Sequence, residues 1–332
     1  MSDNKGVAVY CEIKGDKILP ISAEGLSIGR KLADNLGQEL SVIILGSGIS
    51  ALAPQAIAAG ADKVYVVDDA QLKDYQPDAY ISVLQKVIKQ VRPQIVIMGQ
   101  NDSGRELAPR LAYRLGTAAT LDCVDLAIDP ATKRLLQTKP VYGGNAQAII
   151  VTETDPQIVT IRTKAFTALE PDASRKGEIV NIPAGLDASV IKVKILNRVI
   201  AEIAGIKIED ATVVVAGGRG IGSVDGFKQL DELAKLLKGA VGASRPPCDN
   251  NWIPDTAQVG LTGKIIAPEV YIAIAISGSS QHMSGCSGAK TIIAINKDKE
   301  ANIFRHARFG VVGDWKKVLP AFTQKVKELL AS

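Results

Sequence analysis

Short, almost continuously apolar runs alternate along the chain with stretches that repeat apolar residues every three or four positions. In the first half the runs are Gly6–Ile13, Ser41–Leu45, Lys63–Val67 and Gln94–Met98. They are β-branched and too uniformly apolar for strands with one wet face. They predict parallel strands buried on both sides. Ala23–Leu36, the series Tyr80, Val83, Leu84, Val87, Ile88 and Val91, and Ser103–Leu115 carry the helical period. Ser103 is the expected N-cap of the last of these. Strand alternating with helix predicts a parallel α/β sheet with right-handed crossovers.

The pattern changes between Ala118 and Arg162. Leu121–Ile128, Leu135–Val141, Ala146–Val151 and Ile158–Arg162 follow one another without helices. They predict an antiparallel extension of the same domain. Glu170–Leu196 holds Pro171, Gly177, Pro183 and Gly185 and reads as a linker, ending in an alternating strand Val190–Leu196. The α/β alternation then restarts. Ala211–Ala216, Val270–Ile276, Thr291–Ile295 and Phe309–Val312 are expected strands, and Asp225–Lys238 an expected helix. A terminal helix would bury Trp315, Val318, Leu319, Phe322, Val326 and Leu329, with Pro320 in its first turn or breaking it. The fold class is α/β, in two domains, each built on a largely parallel sheet flanked by helices. Residues 1–200 form one domain and 201–332 the other.

Composition narrows the function. The 332 residues are 46% hydrophobic and 22% charged, a globular balance with room for two cores. The net charge of +4 and the 4% of aromatics argue against a nucleic-acid surface. Cys11, Cys123, Cys248 and Cys286 form no Cys-x-x-Cys pair, and there are only two histidines, so no metal site is expected. No apolar run of about 18 residues is present, so no membrane insertion is expected. A strand-like run begins within six residues of Met1, which leaves no room for a leader peptide. Free thiols fit a cytoplasmic protein.

Candidate chemistry gathers at strand ends. Val213–Ser223 runs from an apolar strand into a glycine-rich turn and then a helix, a context for phosphate. The spacing misses the dinucleotide fingerprint, because Ser223 stands at the third glycine position. A plain tight turn fits as well, but Arg219 is out of place in one. Val241–Pro247 ends in Ser244 and Arg245. Gln258–His282 holds a turn with the Thr262 hydroxyl, an apolar strand, and then Ser277, Gly278, Ser279, Ser280, Gln281 and His282. Small residues there expose backbone N–H groups to a ligand. Asn296-Lys297-Asp298 and Asp314 are either helix caps or ligand contacts. No Ser-His-Asp or Cys-His arrangement is visible. The five strand ends suggest one extended ligand lying across the sheet.

The ordered set GGRG, GASR, QVG-x-TGK-x-x-AP, ISG-x-x-QH, INKD and GD, from about Val213 to Trp315, resembles the FAD-binding domain of the electron transfer flavoprotein alpha subunit. GRELAPRLA at Gly104–Ala112 and PVYGGNAQA at Pro140–Ala148 resemble the amino-terminal domain of that family. The resemblance implies a nucleotide alpha hydrolase-like first domain and a Rossmann-like FAD-binding second domain. It implies Arg219 and Ser244 along the pyrophosphate and Arg245 against the isoalloxazine ring. Gln258, Val259, Gly260, Leu261 and Thr262 would border the ring, with the Thr262 hydroxyl near N5. Ser277 to His282 would hold the phosphates and ring edge, with His282 near the C2 carbonyl. Asn296, Asp314 and Trp315 would face the adenosine end. Leu261 stands where some members carry glutamine.

The implied role is an electron carrier rather than a substrate-converting enzyme, in keeping with the lack of a visible nucleophile or acid–base pair. The chain would pair with a beta subunit. It would carry electrons from an acyl-CoA dehydrogenase or similar enzyme to a quinone reductase or other acceptor. In some anaerobic members a second FAD on the beta subunit supports electron bifurcation from NADH. Arg245 and a donor at His282 would stabilise a reduced, anionic flavin. The alternative is a non-redox nucleotide-binding or interaction module that has lost its flavin. In the first domain, the Gly46-Ser47-Gly48 turn allows AMP but reads as structural.

Overall fold

A computed structural model describes residues 3–193, 195–197 and 205–331. The chain divides into two compact units, Met1–Pro140 with Gln147–Arg198, and Val141–Ala146 with Val199–Ser332. Residue 200, the expected boundary, lies outside the described residues.

The first unit begins with β1 (Val7–Cys11), a short hairpin of β2 (Ile13–Lys14) and β3 (Lys17–Ile18), α1 (Pro20–Leu36), β4 (Leu40–Gly46), α2 (Ala53–Ala58) and β5 (Lys63–Asp68). It continues with α3 (Pro77–Val91), β6 (Ile95–Gly99), α4 (Asp102–Leu115), β7 (Ala119–Cys123), β8 (Asp125–Ile128), β9 (Leu135–Val141), β10 (Ala146–Ile150), β11 (Gln157–Ile161) and β12 (Glu178–Asn181). The main sheet has the order β12-β5-β4-β1-β6-β11-β7, with parallel pairings. Leu26, Ile28 and Leu32 of α1 pack on one face, and the apolar stripe of α3 packs on the other with Leu107 and Leu111 of α4. Pro20 opens α1 at a position that needs no N–H donor. Gly37, at φ 63°, closes it by donating its N–H to the carbonyl of Asp34.

Five expectations change here. Ile158–Arg162 does not extend an antiparallel sheet: β11 is inserted, parallel, between β6 and β7. Its polar residues concealed a central strand. Gln157 and Thr160 are fully buried, and their side chains accept hydrogen bonds from the N–H groups of Leu135 (2.8 Å) and Asp122 (2.9 Å). Leu121–Ile128 divides at Val124, between β7 and β8; within β7, Asp122 has a φ of 67° and a carboxylate that pairs with Arg162 at 2.6 Å. β8 and β9 pair antiparallel as expected, in a three-stranded sheet β10-β9-β8. The expected linker contributes β12, which pairs parallel with β5. Residues 191–193 and 195–197 form no strand, and Lys194 lies outside the described residues. The N-cap of α4 is Asn101, which accepts from the Gly104 N–H at 3.0 Å; the Ser103 hydroxyl donates instead to Glu12.

The second unit contains β13 (Val213–Gly217), α5 (Val224–Leu236), β14 (Ala240–Ala243), α6 (Arg245–Asp249), β15 (Val270–Ile274), α7 (Ser280–Cys286), β16 (Thr291–Asn296), β17 (Phe309–Val312) and α8 (Trp315–Ala331). Its sheet is parallel, in the order β14-β13-β15-β16-β17. Phe227, Leu230 and Leu233 of α5 share a core with Trp315 and Leu319 of α8, while Met283 and Cys286 of α7 pack into the other core with Tyr271. Pro320 neither opens nor breaks α8. It is the sixth helical residue and is exposed, so the backbone bond it forgoes lies on the wet side. The strand order puts a topological switch point between β13 and β15, where parallel α/β sheets open a crevice at their carboxyl ends.

Candidate functional site

A cavity of about 790 Å³ opens at the carboxyl ends of the second unit's strands. All the expected site residues line it except Gly278 and Ser280. Gly218, at the end of β13, has no room for a side chain, since a Cβ there would collide with the Ala275 carbonyl. Its N–H donates to Ile274 O at 2.9 Å and ties the two strand ends together. The next residues make a single 3₁₀ turn, and Ser223 then caps α5 by accepting from the Gly226 N–H at 3.2 Å. The glycine turn is thus required by packing, and the phosphate reading rests on Arg219 beside it. Arg219 is exposed and makes no side-chain hydrogen bond or ion pair among the described residues.

At the end of β14, the Ser244 N–H donates to Gly217 O at 3.0 Å, and Arg245 is the first residue of α6. The Arg245 Nε lies 3.2 Å from Asp249, and the side chain is 66% exposed. A tight loop follows. The Val259 N–H donates to Ala243 O (2.8 Å), the Leu261 N–H to Gln281 O (2.8 Å) and the Lys264 N–H to Gln258 O (2.7 Å). Gln258 Nε2 donates to the Thr262 hydroxyl at 2.9 Å. Leu261 is 58% exposed and gives the wall an apolar face. A Cβ on Gly285 would collide with the Gly260 backbone, so loop and α7 touch directly.

His282 is buried under this loop. Its Nδ1 lies 3.0 Å from Val259 O and its Nε2 lies 2.8 Å from the Tyr271 hydroxyl. A carbonyl only accepts, so Nδ1 carries the proton and Nε2 accepts from Tyr271. Burial pushes the imidazole down to about 4, against a smaller opposing pull from the Val259 carbonyl. Both ring nitrogens are thus engaged within the protein.

At the end of β16, Asn296 donates from Nδ2 to Ile276 O (2.9 Å) and accepts the Asp298 N–H on Oδ1 (3.0 Å). Asp314 accepts the Lys316 N–H at 3.0 Å at the start of α8. Trp315 is buried, and its Nε1 donates to Gly220 O at 2.9 Å. These side chains hold the rim together while lining it.

Two lysines add to the charge, Lys297 from the Asn296–Asp298 strand end already weighed and Lys316, which pattern reading did not weigh. Lys297 and Lys316 line the cavity, exposed and without an ion pair among the described residues. Their signal was adjacency, one within INKD and one just past GDW. Arg219, Arg245, Lys297 and Lys316 thus face Asp298 and Asp314, whose carboxylates already accept backbone N–H groups. The wall is net cationic, apolar near Leu261, and floored by backbone at Gly218 and Gly220. That chemistry fits a long ligand with an anionic middle and a flat apolar end.

Comparison with known proteins agrees. Residues 7–187 match the Electron transfer flavoprotein domain, and residues 207–287 the Electron transfer flavoprotein FAD-binding domain. The chain is 39% identical to the electron transfer flavoprotein subunit alpha of Thermoanaerobacterium thermosaccharolyticum, over 99% of this chain and 100% of that one. It is 42% identical to the subunit of the same name from Megasphaera elsdenii, over 99% and 98%. It is 37% identical to Protein FixB of Azotobacter vinelandii, over 99% and 92%.

Proposed function

The chain belongs to the electron transfer flavoprotein alpha-subunit family, and on that premise we propose that its second unit holds FAD along the carboxyl ends of β13 to β17. The supporting observation is the row of four cationic side chains, only Arg245 of which has an acidic partner, Asp249, around a cavity at the β13/β15 switch point. Its volume of about 790 Å³ suits an extended dinucleotide. Arg219 and Lys297 attract the pyrophosphate beside the backbone floor at Gly218 and Gly220, with Ser244 nearby. Arg245, Leu261 and the Gln258–Thr262 loop border the flavin ring. Asn296, Asp314 and Lys316 face the adenosine end. Bound FAD supplies the uptake and release of electrons; the protein binds it, orients it and sets its surrounding charge. A cation at Arg245 favours added negative charge on the ring.

The chain pairs with a beta subunit. The pair takes electrons from a flavin-dependent dehydrogenase, such as an acyl-CoA dehydrogenase, and delivers them to a separate acceptor in the cytoplasm. Among the described residues no helix is long and apolar enough to cross a membrane. Co-expression with the beta subunit, a flavin count and reduction by an acyl-CoA dehydrogenase test this reading. One FAD per pair, reduced by the dehydrogenase, supports simple transfer. Two FAD and reduction by NADH with divergent acceptors would assign bifurcation instead. A colourless complex that takes up no FAD would leave the non-redox module.

A further inference from the structure

We propose that Trp315 is a positioning residue: its indole N–H locks the Gly220–Ile221 peptide of the glycine turn and thereby holds Arg219 toward the anionic middle of the ligand. The turn has little of its own to anchor it. Between Gly218 and Gly222 its only side chains are those of Arg219 and Ile221. Ile221 is buried in the same core as Trp315, and Arg219 is exposed on the cavity wall. One backbone bond closes the turn, from the Ile221 N–H to Gly218 O at 3.1 Å. Glycines on both sides make peptide rotation easy there, and Gly222 already sits at φ 85°. The Gly220 carbonyl is held from outside the turn. It accepts from the Trp315 Nε1–H at 2.9 Å.

Trp315 opens α8, 95 residues further along the chain. Its side chain is buried. An indole has one donor and no acceptor, so in a buried place that donor is spent on a single carbonyl. The ring is wedged where it stands. A Cβ on Gly226, in the first turn of α5, would come within 3.2 Å of the Trp315 ring and closer still to Ile221. Asp314 accepts the Lys316 N–H and fixes the start of the helix that carries the indole. A carbonyl engaged by the indole is not presented to a phosphate. A turn that cannot rotate keeps its guanidinium on the cavity side, where an anion gains a charge-assisted contact. Holding the turn ready spares the ligand the cost of ordering it. The consequence for affinity rests on the FAD reading above; the indole bond does not.

The test uses the full chain assembled with its beta subunit. Trp315→Phe keeps a flat apolar ring and loses the N–H. It should weaken FAD binding roughly 2- to 12-fold, the range for one lost hydrogen bond. A residue that only supports the fold would lower affinity by the same factor whatever stands at 219. A residue that acts through the Arg219 turn is coupled to it. Trp315→Phe should therefore cost less affinity in the Arg219→Ala background than in the wild type. An equal or larger loss in that background, or no loss in the wild type, would overturn the proposal. Indole ¹⁵N signals read the bond itself without any variant. Of this chain's two tryptophans, Trp315 should show an Nε1–H that exchanges slowly with solvent. A rapidly exchanging Trp315 indole would also overturn the proposal. A wild-type complex that holds no FAD, but shows the protected indole, would refute the FAD reading and leave the locked turn standing.

Discussion

The backbone of Gly218 passes so close to Ala275 that a side chain at 218 would run into the Ala275 carbonyl. The two residues follow directly on β13 and β15, the strands that flank the switch point. Backbone cannot yield as a flexible side chain can. Gly218→Ala should therefore push the strand ends apart and destabilise the protein by about 1–3 kcal/mol. It should also weaken FAD retention, because the floor of the cavity moves. Thermal unfolding and flavin content after gel filtration check both effects.

Two buried groups tilt stability with pH in opposite directions. Burial raises the Glu12 carboxyl above its usual range, despite hydrogen bonds from Ser103 and Asn101. The folded chain then binds the proton more tightly than the unfolded one, so this contribution falls as pH rises through the folded value. Burial lowers His282 to about 4, so its contribution is lost as pH falls from about 6.5 toward about 4. Glu12→Gln keeps an acceptor for Ser103 and removes the first slope. Denaturant titrations from pH 4.5 to 8 should show a variant that gains on the wild type as pH rises.

Arg245 stands at the ring side of the cavity, with its Nε leaning on Asp249. Removing a cation near a ring that gains negative charge makes reduction harder. An exposed contact is worth about 1 kcal/mol and a well-formed charged hydrogen bond up to about 3 kcal/mol. Arg245→Ala should thus lower the first reduction potential by roughly 40–130 mV, at about 59 mV per tenfold change. FAD should stay bound. Dithionite titration with mediators reads the shift.

Much of the fold was legible because fully buried parallel strands leave uninterrupted apolar runs, as at Ile95–Gly99 and Val270–Ile274. β11 escaped because Gln157 and Thr160 look like wet positions, yet find their hydrogen bonds inside the sheet. β12 escaped because a short exposed edge strand between prolines resembles a linker. The site was visible as a series of polar strand ends, and the resemblance to a known family supplied the roles. The engagement of His282 was not visible, since Tyr271 is eleven residues away on another element and meets it only when β15 packs under α7. Pro320 misled because exposure, not sequence position, decides what a missing N–H costs.

The central claim is that the second unit holds FAD through cations at its strand ends. Arg219 tests it most directly, because its side chain has no protein partner among the described residues to lose. FAD affinity should be measured by fluorescence quenching for the wild-type pair and for Arg219→Ala. The account predicts a bright yellow wild-type complex and a variant that folds normally but binds FAD roughly tenfold or more weakly, with little change in potential. Equal FAD affinity in the two proteins would contradict it.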